Sequence, residues 1–224
     1  MKKLEKFLNT AVEQYENGLP LHLTNPNRSA FATMSESEFL NKSSRDKQEL
    51  IQHKHILITD CAFQQLKFDE DGLRILCPPW KTIEIQGEIQ LITATSDQLL
   101  KASEMDSGKI LNALEFPMNL ASLSPMPKFS TDLLAWACTA TEFPPPIGDI
   151  QFGLAATPGA RTWFHIDCMG FLTFVETMCG FKIWMCIRDQ DGQFVVVDMF
   201  KDFELDDAHG YYIEAILLTP GTRL

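Results

Sequence analysis

His165-Ile166-Asp167, set within RTWFHIDCMGF, is the part of the sequence best equipped for chemistry. On a strand, side chains two positions apart share a face, so His165 and Asp167 can offer an imidazole nitrogen and a carboxylate oxygen to one metal ion. They would be two of the three ligands of the 2-His-1-carboxylate arrangement, which suits Fe(II) and leaves coordination positions open. The tripeptide is short, and the plain alternative is a His and an Asp on the surface of a strand. Downstream, in Gly180-Phe181-Lys182-Ile183-Trp184, Lys182 and Trp184 share strand parity and are expected on one face.

Three segments follow one another in a telling order. HxD comes first, then G-x-K-x-W with Lys182 fifteen residues beyond Asp167, then Glu214-Ala215-Ile216-Leu217-Leu218-Thr219-Pro220-Gly221-Thr222. In this order they resemble the JmjC domain of the double-stranded β-helix, or cupin, superfamily. The likeness is specific over Asp149 to Leu224 and looser upstream, at Ile110 to Pro117 and a short helix beginning at Ser130. The resemblance implies Fe(II) held by His165 and Asp167, and 2-oxoglutarate as cosubstrate with its distal carboxylate on Lys182. A lysine ammonium is a suitable point charge for a carboxylate inside an apolar barrel. The resemblance also implies hydroxylation of a substrate C–H bond, or demethylation where the carbon is an N-methyl group.

A threonine three residues before the histidine touches 2-oxoglutarate in some relatives, which points to Thr162. Strict alternation turns Thr162 away from His165, so a bulge would be needed to bring both inward. Trp184 is the best candidate for a pocket wall because of its parity with Lys182, whereas Trp163, Phe164, Phe171, Phe174 and Phe181 are assigned to the core.

The chain departs from the family pattern at its end. The family's second histidine ligand lies on the strand after the Pro-Gly turn, and this sequence stops at Leu224, three residues past Gly221. His209 precedes the strand leading into the turn, His53 and His55 are read as sharing a strand face at the polar start of HILITD, and His22 has no partner in sequence. Two ligands instead of three weaken iron binding. A missing barrel strand also exposes the backbone edge of its neighbour, which invites pairing with a second chain. Three readings stay open: an oxygenase, a catalytically degenerate JmjC-like domain that binds a partner or a small acid, and a sugar- or acid-binding cupin without redox chemistry. The substrate, whether a protein or a small molecule, is not legible.

The elements that must position these residues fall into two groups. Leu4, Phe7, Leu8, Ala11, Val12 and Tyr15 repeat at helical spacing up to a stop at Gly18-Leu19-Pro20. Ser35 and Glu38 form a capping box for a second helix running through Ile51, with a polar middle from Asn41 to Lys47. From His55 the segments HILITD, QQLKF, LRILC, KTIEI and IQLITAT read as strands, with turn signals such as Asp71-Gly72. Ser96 and Ser130 cap short helices. DIQFGLAA, RTWFHIDC, GFLTFVET, GFKIWMCI, QFVVVDMF and YYIEAILL complete the strand set, with turns at Thr157-Pro158-Gly159, Asp191-Gly192 and Pro220-Gly221. The expected fold is α+β: a jelly-roll, cupin-like double-stranded β-helix, incomplete at its C-terminal end, with N-terminal helices and added strands. An N-terminal helical segment, 1–54, precedes a JmjC-like β domain, 55–224.

The composition is that of a globular protein, and its net charge of -11 opposes nucleic acid and anionic lipid surfaces. The N-terminal lysines are followed by Glu5, Asn9 and Glu13 instead of the apolar run of a signal peptide, and no window has the length of a membrane span. The six cysteines form no CxxC pair, so reduced thiols and a nuclear or cytoplasmic location are expected.

Overall fold

A computed structural model describes residues 29–63, 66–87, 90–104, 109–116, 152–162, 165, 173–188 and 211–224, together with residue 9. In chain order its elements are β1 (Phe31–Ser35), α1 (Glu36–Asn41), α2 (Ser44–His53), β2 (His55–Thr59), α3 (Glu70–Leu76), β3 (Thr82–Gln86), β4 (Leu91–Thr95), α4 (Ser96–Glu104), β5 (Asn112–Phe116), β6 (Gly153–Ala156), β7 (Lys182–Arg188) and β8 (Tyr212–Leu218). Helices and several small sheets alternate, so the fold is mixed α and β. None of the helices among the described residues is long and apolar enough to cross a membrane. The chain divides into two compact units, Met1–Phe63 with Trp163–Leu224, and Gln64–Thr162.

In the first unit β1 and β2 pair in parallel, from Phe31 opposite His55 to Ser35 opposite Thr59. Parallel neighbours need a crossover, and α1 and α2 provide it. Ser35 caps α1 through the expected box: its hydroxyl accepts from Glu38 N at 3.2 Å, and Glu38 Oε2 accepts from Ser35 N at 2.7 Å. The single helix expected through Ile51 is instead two, because Ser43 acts as a second cap, accepting from Asp46 N at 3.2 Å. No strand is predicted before His55, yet Phe31–Ser35 forms β1.

β2 is buried on both faces, as a parallel strand between layers should be. Ile56 and Ile58 pack with Phe39, Leu50 and Ile51 of the helices. Leu57, of opposite parity, packs with Phe31, Ile216 and Leu218, which brings in the antiparallel pair β7–β8. The C-terminal residues run along β2: Ile58 N donates to Arg223 O at 2.8 Å, Arg223 N to Ile58 O at 2.9 Å and Cys61 N to Gly221 O at 3.0 Å. Leu224 exchanges hydrogen bonds with Val175 in the same way.

In the second unit β4, β3, β5 and β6 form an antiparallel sheet in that order. β3 alternates cleanly: Ile83 and Ile85 are buried, whereas Thr82, Glu84 and Gln86 are exposed. The buried face packs with Leu73, Cys77, Leu99, Leu100, Ala113 and Phe116. LRILC, expected as a strand, instead forms the end of α3, with Cys77 as its C-cap. Asp69 caps that helix, accepting from Gly72 N at 2.9 Å, and Glu70 pairs with Arg74 one turn on. Asp71-Gly72 is therefore the first turn of a helix. α4 is capped one residue earlier than predicted, by Thr95, whose hydroxyl accepts from Gln98 N at 3.4 Å while Gln98 Oε1 accepts from Thr95 N at 2.8 Å. The expected helix over Leu4–Tyr15, residue 9 excepted, the helix from Ser130, the strand QFVVVDMF and the turn at Asp191-Gly192 lie outside the described residues.

Candidate functional site

Lys182, Trp184, Cys186 and Arg188 occupy alternate positions of β7 and so share one face. Their partners across the pair are Leu218, Ile216, Glu214 and Tyr212. This face turns toward β1 and β2, since Trp184 and Cys186 pack against the cluster of Phe31, Leu57, Ile216 and Leu218. At one end of β7 the Lys182 ammonium stands 5.5 Å from the centre of the Trp184 ring, within cation–π range. Lys182 and Trp184 are both half-buried. β8 then runs into the Pro-Gly turn that was expected: Gly221 takes a φ of +88°, and Thr222 N donates to Thr219 O at 2.9 Å.

The other end of the same face holds a polar cluster. Glu214, only 2% exposed, accepts from Ala30 N at 2.6 Å and from the Ser29 hydroxyl, and pairs with Arg188 at 3.5 Å. Cys186 Sγ lies 3.4 Å from His55 Nε2, and the His55 ring lies 5.3 Å from that of its strand neighbour Phe31. Burial pushes the Cys186 thiol up to about 11, with Arg188 opposing and Glu214 adding to the rise. Burial also lowers His55, as does Arg188, against Glu214. Cys186 and His55 thus each favour the neutral form, and the pair is a thiol beside a neutral imidazole rather than an activated thiolate. Sequence reasoning did not single out this cluster. The parity of Cys186 and Arg188 with Lys182 is the signal that could have found it.

A third polar group fixes the C-terminal segment. The Arg223 guanidinium donates to Glu176 at 3.0 Å and also to Glu36 and the Ala62 carbonyl. Glu36 accepts in turn from Ala62 N at 3.0 Å. Hydrogen bonding to Glu176 and the nearby carboxylates raise Arg223 despite the opposing effect of its burial.

Of the proposed metal pair, His165 is exposed and lies outside any strand, and Asp167 falls outside the described residues. Thr162 is exposed, and its hydroxyl accepts from Asn112 Nδ2 at 3.4 Å. His53 ends α2 and His55 begins β2, so the two do not share a strand face as expected. His22 and His209, like Trp163, Phe164 and Phe171, lie outside the described residues. Phe174 is half-buried, but Phe181, assigned to the core, is 63% exposed. Among the described residues no three His, Cys, Asp or Glu side chains converge to hold a metal ion. A depression lined by Thr33, Met34, Glu38, Asn41, Lys42 and Asp46 is open and mostly polar, unlike the apolar enclosure of a ligand pocket. No protein-family profile, curated protein or solved structure matches this chain.

Proposed function

We propose that the chain is a JmjC-like domain of the Fe(II)- and 2-oxoglutarate-dependent oxygenase type, built on a jelly-roll and acting on a protein or small-molecule substrate inside the cell, in the nucleus or cytoplasm. The observation that carries this reading is Lys182, a half-buried ammonium beside Trp184 on the core-facing side of β7, paired with a strand that ends in a Pro-Gly turn. In this reading His165 and Asp167 hold the metal, and Lys182 receives the far carboxylate of 2-oxoglutarate. Trp184 would wall the pocket. Iron with 2-oxoglutarate and dioxygen supplies the oxidation of a C–H bond, with succinate and carbon dioxide as coproducts. The protein's own part is to orient the acid and keep water from it.

Succinate release coupled to oxygen uptake is expected to require iron and to vanish in Lys182→Ala and in Asp167→Ala. Unchanged turnover in either variant would remove the site assignment. Titration with Mn(II), with and without 2-oxoglutarate, gives the binding counterpart: the two ligands should tighten each other.

A second reading has its own support in the exposure of His165 outside any strand. Here the domain is catalytically degenerate and binds a partner or a small acid without turnover. Binding of 2-oxoglutarate that ignores Mn(II) would select it.

A further inference from the structure

Among the described residues β1 is the outer strand of its pair with β2. His55 N donates to Ala30 O at 2.8 Å, so alternation turns the backbone groups of Ala32 and Met34 toward β2 and those of Phe31 and Thr33 outward. Phe31 N already donates to Ser29 Oγ at 3.0 Å, and Ser35 N to Glu38 Oε2 at 2.7 Å. Among the described residues the outer edge is left with the Phe31 carbonyl, the Thr33 amide and the Thr33 carbonyl. The open depression of about 620 Å³ is lined by Thr33 and Met34 of β1, Glu38 and Asn41 of α1, Lys42 at its end and Asp46 of α2. Thr33 and Met34 point to opposite faces of β1, so a space that touches both runs along the strand's edge, and β2 fills the other edge.

We propose that this groove receives an extended, basic peptide segment of a partner protein, which adds as a strand to the outer edge of β1 beside the α1–α2 corner. Strand addition draws its affinity from backbone bonds and its specificity from the walls. In antiparallel register one peptide residue exchanges both backbone bonds with Thr33, and the residue two further on donates to the Phe31 carbonyl. The bond from Ser35 N to Glu38 closes the edge beyond that point. The walls hold two carboxylates, Glu38 and Asp46, against one ammonium, Lys42, and the whole chain carries -11. Both carboxylates are exposed, and an ionised carboxylate can accept bonds beyond those it makes to its cap serine. Lysine or arginine side chains of the peptide therefore meet opposite charge. A second copy of this chain is the poorer occupant, since it would bring the same carboxylates and another -11 into contact. The inference is independent of the oxygenase reading and needs no metal.

The probe is a fluorescent hexapeptide alternating lysine with valine, set beside a glutamate–valine counterpart and two forms N-methylated at the odd or at the even amides. The basic peptide should bind the full chain and slow amide exchange at Thr33. The acidic peptide should bind at least about tenfold more weakly. One methylated form should keep its affinity and the other lose about tenfold, since only one set of peptide amides faces β1. Glu38→Gln, which preserves the capping box, should weaken the basic peptide about threefold at low salt and less at high salt. Thr33→Pro, tolerated where an edge N–H points outward, should lose about tenfold, and the methylated peptides decide the matter if that variant does not fold. Equal binding of both methylated forms would reduce the attraction to charge alone and overturn the proposal. Binding that leaves exchange at Thr33 unchanged, or no binding of the basic peptide at millimolar concentration, would overturn it as well. Slowed exchange at Thr33 that follows protein concentration alone would assign the edge to a second copy instead.

Discussion

Glu214 is the side chain whose surroundings are most demanding. A buried carboxylate is tolerated only where charge and hydrogen bonds replace water, and Glu214 has the Ala30 amide, the Ser29 hydroxyl and the Arg188 guanidinium. Arg188→Met removes the countercharge and leaves the carboxylate buried, which should cost about 3 kcal/mol. Glu214→Gln keeps the shape and should cost less. Urea denaturation of both variants measures this, and a midpoint for Arg188→Met equal to that of the parent would show that the pair is inconsequential. His55 gives the same cluster a pH signature. Its folded value lies below the ordinary 6.5, so the unfolded chain binds the extra proton more readily. Its contribution to stability is complete above about pH 6.5 and is lost as pH falls from there through the lowered folded value. Arg188, Glu214 and Cys186 are the groups that face it. His55→Gln should flatten that part of the stability profile, and a profile of unchanged slope would exclude His55 as its source. Strand parity could have placed Cys186 and Arg188 on one face, but the burial of Glu214 was not legible in the sequence. A glutamate in EAILL bears no local mark of burial, and its partner Ser29 stands 185 positions away.

At the scale of elements, legibility follows how local the determining interaction is. The capping box at Ser35 and the turns at Thr157-Pro158-Gly159 and Pro220-Gly221 are written within four residues, and they form as expected. LRILC failed because five apolar-rich residues fit a helix or a strand equally well, and the Asp69 cap decided the matter. β1 was missed because its pairing partner, β2, is supplied by a crossover and not by a neighbouring turn. Gly221 shows how strict such a local device can be. Its φ of +88° is rarely open to other residues, and an added Cβ would meet the Phe63 ring at 3.2 Å. Gly221→Ala should lower stability by about 1–3 kcal/mol, visible as a fall in Tm. An unshifted Tm would mean that the turn yields freely. In the candidate site the parity of Lys182 and Trp184 was legible because strand alternation is itself local. Of the expected metal pair, His165 lies outside any strand and Asp167 lies outside the described residues.

For the molecule as a whole, each core cluster draws its members from one unit. Leu99, Ile85 and Phe116 belong to one, whereas Leu57, Ile216 and Leu218 belong to another. Leu99→Ala should therefore destabilise by about 2–5 kcal/mol through the cavity it leaves. Hydrogen exchange should speed up at Ile83 and Ile85 while Leu57 and Ile216 keep their rates. Equal acceleration in both groups would show a single cooperative core instead. The long-range contacts of the first unit bear on how the protein is made. The Arg223 guanidinium reaches the Ala62 carbonyl across 161 positions, and its backbone completes the pairing of Ile58. At 5–20 residues per second, translation needs roughly ten to thirty seconds to deliver that partner after β2 has been synthesised. Throughout that interval the amides of Ile58 and Cys61 await their acceptors on a nascent chain.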